Sequence, residues 1–207
     1  NNIDAKNLKA TALDLSATET KPTIGLDVAA VGGMYANHIT MVGTEAGVGV
    51  NLNGVVAGTQ SVSVDANGHL SVNGTLQSDT SLVAKANSIQ NTKTIASGGD
   101  LALETKELTN TGHITSAKNG HVKVEETLTN NNTMAAGANT QGALTGNGSL
   151  SIEAGTVRNT DAVIVSGGTT TINSKELHNT ENGRIYGGKV AIQTKVLENR
   201  KNVALES

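Results

Sequence analysis

A short pattern, an apolar residue followed by any residue and then Asn, returns about every twenty residues along the C-terminal half of the chain. The pattern occurs six times, and its copies end at Asn91, Asn110, Asn130, Asn159, Asn179 and Asn199. The steps between them are 19, 20, 29, 20 and 20 residues. A fixed period in this range is typical of a solenoid, in which one small unit stacks on the next. Such a chain usually forms a rod or an extended binding surface, and seldom an enzyme with a pocket.

Each repeat divides into three short strands separated by turns. After Leu108, the apolar residues Ile114, Val122 and Val124 alternate with polar ones, which is the periodicity of a half-buried strand. Val, Ile, Thr, Asn and Gly are poor helix formers, so the pattern does not indicate helices. Glycine pairs recur at one turn of the repeat, where we expect positive φ angles: 98–99, 167–168 and 187–188. The sequence therefore predicts an all-β parallel β-helix with about 20 residues and three strands per coil.

Equivalent asparagines of successive coils are expected to lie in line along the rod. Neighbouring strands of a stacked sheet stand about 4.8 Å apart, so each side-chain amide can bond to the next. We therefore predict that the six asparagines of the repeated pattern form a structural ladder. The alternative is that Asn recurs because it tolerates left-handed turn geometry, and both reasons can hold together.

The composition fits a narrow interior filled by aliphatic side chains. Tyr35 and Tyr186 are the only aromatic residues. The net charge of −3 combines scattered charges of both signs, so neither a nucleic-acid surface nor a polybasic membrane patch is indicated. No apolar run approaches the length of a membrane span. Cysteine is absent, which excludes disulfides and thiolate metal sites. Its absence fits a cytosolic protein as well as an exported one that crosses a narrow pore unfolded.

No motif points to catalysis, a cofactor or a metal. Residues 183–190 match the phosphate-binding pattern G-x-x-x-x-G-K up to its last position, where Val190 stands instead of the Ser or Thr that holds Mg²⁺. We interpret this stretch as a repeat turn followed by a strand. His113 and His121 could approach each other across one coil, but no acid cluster completes a zinc site. We therefore expect no catalytic, cofactor-binding or metal-binding residue.

The carboxylates are spread along the chain. A β-helical polysaccharide lyase or hydrolase needs acids that converge on one face. Here we expect one solvated repeat position to hold, in successive coils, Glu104, Glu125, Glu153 and Gln193. A repeated position is not a convergent site, so this enzyme class remains only the third hypothesis.

The 29-residue step contains an insertion of small and polar residues, 135–146. We expect it to leave the coil as a surface loop. Loops of solenoids often carry the binding function, which makes Asn139, Thr140 and Gln141 candidate ligand-binding residues. The alternative is a tolerated insertion without a ligand.

A segment near the start of the chain carries the most specific resemblance. Residues 25–39 read G-L-D-V-A-A-V-G-G-M-Y-A-N-H-I, and residues 41–50 read M-V-G-T-E-A-G-V-G-V. These strings resemble the filamentous-haemagglutinin-like exoproteins of two-partner secretion in Gram-negative bacteria. That family includes large adhesins and contact-dependent growth-inhibition effectors. The matching strings lie where its secretion domain passes into its repeat shaft. A looser match, L-x-N-T-G-x-I, lies at residues 108–114.

The resemblance implies a right-handed β-helix, export through an outer-membrane partner transporter and display on the bacterial surface. It implies that residues 1–50 are the end of a secretion-domain-like β-helix with its junction, and residues 51–207 a haemagglutinin-type shaft. The family's N-P-N-G-I-type secretion motif does not occur in the sequence, and no N-R-type string occurs in residues 1–50. Because Asn1 is not a natural start, we interpret the chain as a fragment.

The leading functional hypothesis is a structural or adhesive shaft that displays distal receptor-binding or toxin regions. In that hypothesis the partner is a receptor or glycan on a host or target cell. A module that binds glycans or glycosaminoglycans directly, through a sheet face or the insertion, is the second hypothesis.

Overall fold

The computed structural model of the chain describes residues 2–3, 10–11, 24–29 and 32–201. These residues contain seventeen strands and no helix. The first nine strands are β1 Asn2–Ile3, β2 Ala10–Thr11, β3 Ile24–Val28, β4 Gly33–Gly43, β5 Gly49–Leu52, β6 Val55–Val72, β7 Thr75–Ser78, β8 Ser81–Asn91 and β9 Thr94–Ser97. The other eight are β10 Asp100–Asn110, β11 His113–Ser116, β12 Gly120–Asn130, β13 Thr133–Ala136, β14 Leu150–Thr160, β15 Val163–Thr180, β16 Arg184–Gln193 and β17 Val196–Asn199.

Strands β3 to β17 form one parallel sheet that winds into a β-solenoid of about nine turns with roughly 20 residues each. Each turn has three faces. Face A contains the short strands β7, β9, β11 and β13 with the equivalent parts of the longer strands. Faces B and C are the first and second parts of strands such as β10, whose pairing with β12 shifts register between Thr105 and Glu107. The predicted all-β parallel β-helix, with three short pairing segments per coil, is confirmed.

The register explains why these residues form strands. In the coil of residues 101–116, Leu101, Leu103, Leu108 and Ile114 point inward and are at most 3% exposed. Each pairs with the residue about one period later, for instance Leu108 with Leu128 and Ile114 with Met134. Aliphatic side chains therefore stack in columns along the rod, and a branched side chain packs well against its pleated neighbours. The inward residues form one core that runs from Val28 to Leu177.

Glycine at the repeated turn has a different role from the predicted one. The glycines with positive φ among the described residues are Gly47, Gly137 and Gly142, so the expected φ at the pair 98–99 is wrong. Instead, a Cβ at Gly99 would collide with the backbone carbonyl oxygen of Thr80 in the preceding coil. Glycine is required because successive turns stack with their backbones in contact, and no side chain fits between them.

The insertion begins later than the sequence suggested. Residues 135 and 136 belong to β13 and are almost fully buried, because they continue the register of β11. The loop that leaves the coil therefore runs from residue 137 to residue 149, where β14 follows. The 29-residue step adds length only at this turn and leaves all three faces of the coil intact.

The start of the chain is described only in part. Strands β1 and β2 pair with each other in antiparallel fashion and form a separate two-stranded sheet. Residues 1, 4–9, 12–23 and 30–31 of the expected secretion-domain-like segment lie outside the described residues. The described part of the 25–50 segment forms β3, β4 and β5, which join the solenoid sheet in parallel register. Within the described residues, no helix has the length and apolarity needed to span a membrane.

Candidate functional site: the asparagine ladder and the coil surfaces

The six asparagines lie at one position, the last inward residue of face C. From Asn91 to Asn179 they are at most 9% exposed. Each Nδ2 donates to the Oδ1 of the next asparagine, and the donor–acceptor distance is 2.8 Å in all five pairs: 91 to 110, 110 to 130, 130 to 159, 159 to 179 and 179 to 199. All five bonds point toward the C-terminus, so the ladder has a direction.

Each ladder amide from Asn91 to Asn159 also donates a second hydrogen bond, to a backbone carbonyl of the following coil. Asn91 Nδ2 donates to the His113 carbonyl oxygen at 3.1 Å, and Asn110 Nδ2 donates to that of Thr133 at the same distance. The acceptor belongs to face A of the following coil. A buried amide needs partners for its polar atoms, and here the following coil supplies acceptors for both amide hydrogens. The ladder therefore joins each coil to the next across the corner between faces C and A.

The same column is apolar in the N-terminal coils. Val28, Leu52 and Val72 pair in succession at the ladder position, and Val72 pairs with Asn91. A valine side chain cannot donate a hydrogen bond. Within the described part of the chain, the buried Oδ1 of Asn91 accepts no hydrogen bond. The ladder therefore starts at Asn91 with an unsatisfied acceptor.

A second chain of polar side chains runs outside the N-terminal coils. Asn53 Nδ2 donates to Asp27 Oδ1 at 3.3 Å, and Asn73 Nδ2 donates to Asn53 Oδ1 at 3.1 Å. Thr92 Oγ1 then donates to Asn73 Oδ1 at 3.0 Å. Asn53, Asn73 and Thr92 are more exposed than the ladder, because they sit at the turn after face C. Asp27 is an exposed residue of β3. This outer chain reaches the coil at which the inner ladder begins.

A buried serine column was missed by sequence reasoning. It lies at the last position of face A and contains Ser78, Ser97, Ser116 and Ser166, each at most 4% exposed. The Oγ atoms of Ser78 and Ser97 are 3.2 Å apart, and Ser116 Oγ donates to the Lys118 carbonyl oxygen at 3.2 Å. The 19-residue spacing of Ser78, Ser97 and Ser116 was the available signal, but serine is also common in exposed turns.

The expected carboxylate position is partly wrong. Glu104 and Glu153 share one outer column of face B, but between them stands Lys123 and not Glu125. Glu125 falls at the corner because the register of β12 shifts between residues 124 and 127. The column alternates in charge along successive coils: Asp65, Lys85, Glu104, Lys123 and Glu153. Lys85 Nζ lies 3.5 Å from Glu104 Oε1. Opposite charges in adjacent coils favour the correct register.

His113 and His121 lie on different faces of the solenoid. His113 is in β11 on face A, where it pairs with Thr94 and Thr133, whereas His121 is in β12 on face B. Among the described residues, no group of three or more His, Cys, Asp or Glu is placed to hold a metal ion. Residues 184–193 form strand β16, which pairs with β15, so the motif 183–190 leads into a strand.

His178 lies between two carboxylates on the outer side of face C. Its Nδ1 is 2.7 Å from Glu198 Oε2, and its Nε2 is 3.1 Å from Glu176 Oε2. The hydrogen bond to Glu198 and then that to Glu176 raise the pKa of His178 above its ordinary value, against opposing effects of burial and Arg158. The hydrogen bond from His178 lowers the pKa of Glu198. The imidazolium form donates to both carboxylates and joins the last two turns of face C.

The loop of residues 137–149 folds as a small hairpin. Ala138 and Leu144 form an antiparallel bridge, and Asn139 Oδ1 accepts hydrogen bonds from the backbone N–H groups of Gln141 and Ala143, both at 3.0 Å. The root is anchored, since buried Ala138 packs with Ala135 and Val165. Asn139, Thr140 and Gln141 are exposed at the tip. The side-chain carbonyl of Asn139 is thus engaged within the loop, while Thr140 and Gln141 present their side chains outward from the rod surface.

Comparisons with known proteins agree with this geometry. The family model described as "Haemagglutinin repeat" matches residues 10–91, 55–137 and 127–205. The tRNA nuclease CdiA of Escherichia coli (strain NC101) is 36% identical over 85 residues, which are 41% of this chain and 3% of that protein. The tRNA nuclease CdiA-2 of Burkholderia pseudomallei (strain 1026b) is 40% identical over 75 residues, which are 36% of this chain and 2% of that protein.

A third relative is the 16S rRNA endonuclease CdiA of Enterobacter cloacae subsp. cloacae, which is 38% identical over 72 residues, 35% of this chain and 2% of that protein. The chain thus spans only 2% to 3% of the length of these three relatives. No solved structure matches the chain significantly. The three family-model matches together extend from residue 10 to residue 205, and the chain belongs to the haemagglutinin repeat family.

Proposed function

We propose that this chain is a shaft segment of a large secreted exoprotein and holds distal receptor-binding or toxin regions away from the bacterial surface. The observation that carries the proposal is the parallel register, which continues from Ile24 to Asn199 without a break in the sheet. A stack of about nine coils at about 4.8 Å per coil gives a rod roughly 40 Å long. For such a rod, the properties that matter for function are its length and its stiffness.

The relatives support this proposal and also limit it. Their names describe nucleases, whereas this chain corresponds to a few per cent of their length. The surfaces described above are repeated columns, in which acids alternate with lysines on face B. We therefore propose that this chain has a structural, non-enzymatic role within an exoprotein on the cell surface. We also propose the division into a secretion-domain-like segment, 1–50, and a repeat shaft, 51–207.

We further propose that an outer-membrane partner transporter exports the chain and that coil formation outside the cell favours export. Each new coil stacks on an already formed edge, so folding can advance one turn at a time. A charge in the core column removes this gain, because a buried unpaired carboxylate is costly. Leu108, Leu128 and Leu177 occupy one column and are at most 1% exposed.

The test uses the full-length exoprotein with its transporter. Replacing Leu128 by Asp should stall secretion, as should the same change at Leu108 or Leu177. Thr129→Asp is the matched control, since Thr129 is the adjacent residue on the outer side of the same strand. The proposal predicts normal secretion for the control and strongly reduced secretion for the core variants. Equal secretion of all four variants would refute the folding-assisted export.

A second candidate function is binding of a glycan or glycosaminoglycan by the loop of residues 137–149. The favouring observation is the exposed tip, together with Leu144, which is 44% exposed. Deleting residues 138–147 leaves a three-residue turn, equal in length to the turn between β11 and β12. Loss of cell binding with an unchanged circular dichroism spectrum would support this function. Unchanged binding would leave the loop as a tolerated insertion.

A further inference from the structure

We infer that the rod contains a joint between Val72 and Asn91, which divides it into two cooperatively folding units. Below the joint the corner column is Val28, Leu52 and Val72, and above it the column is the amide ladder. The observation that carries the inference is the buried Asn91 Oδ1, which lacks a donor in the described structure. This atom faces the column position that Val72 occupies.

The ladder column contributes side-chain hydrogen bonds between neighbouring coils within the ladder, but none across the joint. Inside the ladder, separating two coils breaks a 2.8 Å amide–amide bond as well as the bond from the same amide to a face A carbonyl. At the joint, separation breaks no side-chain hydrogen bond in the ladder column and exposes an Asn91 acceptor that was unsatisfied in the folded state. Within the described residues, the one buried polar side-chain contact between these two coils is the pair of hydroxyls of Ser78 and Ser97, 3.2 Å apart at the end of face A. Opening at this coil therefore relieves the desolvation penalty of Asn91 Oδ1, whereas opening elsewhere in the ladder loses the net free energy of the broken amide hydrogen bonds.

Backbone pairing continues across the joint. Val72 pairs with Asn91 and Ser71 with Gln90 in parallel register. The outer bond from Thr92 to Asn73 also crosses it. The joint is consequently a place of weaker coupling and not a break in the rod, so we expect sub-global opening there at equilibrium.

A valine-to-threonine change at residue 72 tests this directly. Threonine has nearly the shape of valine, and its hydroxyl can donate to Asn91 Oδ1 and cap the ladder. Val64→Thr is the matched control, because Val64 is 1% exposed and its column neighbours Met41 and Ala84 offer no oxygen acceptor, only the weakly accepting thioether sulfur of Met41. A threonine hydroxyl buried without such a partner costs stability.

The measurement is native-state hydrogen exchange of the full chain at increasing denaturant, followed by mass spectrometry. For the natural sequence we expect peptides from residues 49–72 to exchange through a different opening from peptides of residues 94–130. Val64→Thr should accelerate exchange of the first group about tenfold or more. Val72→Thr should leave that rate within about threefold and reduce the difference between the two groups. Equal acceleration by both variants would overturn the inference.

A second variant keeps the inference testable if capping disturbs the fold. Asn91→Leu extends the apolar column by one coil and removes the unsatisfied acceptor. The ladder then begins at Asn110, whose Oδ1 still accepts from the Gly112 N–H group at 3.2 Å. The boundary between the two exchange groups should then move from between residues 72 and 91 to between residues 91 and 110. A boundary that stays in place, or one cooperative opening for the whole rod in both sequences, would show that the Asn91 acceptor does not define a joint.

Discussion

The coils before residue 73 and the coils after it fill the same corner of the rod in different ways. In the first group Val28, Leu52 and Val72 form an apolar column, and the side-chain amides lie outside, where Asn53 and Asn73 extend a chain that begins at Asp27. In the second group the amides lie inside. An apolar column accepts any neighbour of suitable volume, whereas a buried amide needs a hydrogen-bonding group at the same column position of the neighbouring coil.

The two ways of filling the corner differ more in how strictly they fix the register of the strands than in how they bury side chains. If a strand slipped by one residue, its asparagine would move from the interior to the outer surface and an outward side chain would replace it. In the apolar coils a slip costs the burial of a side chain. In the ladder coils it also leaves the asparagines above and below without a donor or an acceptor. We conclude that the ladder fixes register in the part of the rod where the coils most closely repeat one another.

The largest expected effect comes from interrupting the ladder in its middle. Asn130→Leu removes the donor to Asn159 Oδ1 and the acceptor of Asn110 Nδ2. We expect the free energy of unfolding to fall by about 3 kcal/mol, since two buried polar groups lose a partner. Urea unfolding monitored by circular dichroism measures it. Asn91→Leu is the internal control and should cost less than about 1 kcal/mol, because it removes the unsatisfied acceptor and leaves Asn110 Oδ1 with the Gly112 N–H as its donor. Equal losses of unfolding free energy in the two variants would show that the hydrogen bonds between ladder amides add nothing to stability.

The next effect concerns what both groups of coils share, the close stacking of their turns. Gly112→Ala places a Cβ against the Lys93 carbonyl oxygen, and Gly54→Ala places one against the Gly32 carbonyl oxygen. We expect each variant to lose about 2 kcal/mol of stability, because the backbone of the neighbouring coil has to move. Thermal unfolding of the two variants measures it. A loss confined to one variant would mean that the turns of the two regions are built differently.

A smaller effect is expected on the outer column of face B. Lys123→Glu would place three negative charges in successive coils, with Glu104 on one side and Glu153 on the other. We expect a loss of about 0.5–1 kcal/mol at low salt, since like charges directly opposite each other destabilise a sheet. The loss should shrink at high salt, where exposed charges are screened. A loss that does not depend on salt would point to packing instead of charge.

The smallest effect is the pH dependence of the last two turns. The pKa of His178 is raised above 6.5, so its contribution is fully present below that value and is lost as pH rises through the raised pKa. The pKa of Glu198 is lowered from 4.5, so its contribution is present above that value and is lost as pH falls through the lowered pKa.

The His178–Glu198 pair should therefore stabilise the C-terminal turns most between about pH 4.5 and 6.5. An NMR titration of the His178 ring, with thermal midpoints at about pH 5.5 and about pH 8, measures the effect. His178→Gln should remove the difference between the two midpoints. A difference that persists in this variant would assign the pH dependence to other groups.

Much of the fold could be predicted because its signals are periodic. Leu108, Ile114, Val122 and Val124 point inward as their alternation indicated, and each recurs one coil later. The asparagines of the pattern lie at one column position, because a period near twenty leaves no other place for equivalent residues. Glycine was harder to interpret, since a requirement for space and a requirement for positive φ select the same residue.

The parts that escaped prediction depend on local register. Glu125 appeared to share a position with Glu104, but the shift in β12 moves it to the corner and brings Lys123 into the column. The start of the insertion was placed two residues early because Ala135 and Ala136 are small, and small residues occur in loops as well as in tightly packed strands. The unsatisfied Asn91 acceptor could not be predicted without knowing that Val72 is its neighbour in the column.

The most direct test of the ladder is hydrogen exchange of its side-chain amides. NMR of a chain labelled with ¹⁵N at asparagine can follow the side-chain NH₂ groups of Asn110, Asn130 and Asn159, with exposed Asn87 as the reference. We predict that the three ladder amides exchange at least about a hundredfold more slowly than that of Asn87, because their hydrogens are buried and bonded to the next coil. Exchange of the ladder amides at the rate of Asn87 would contradict a continuous ladder inside the rod.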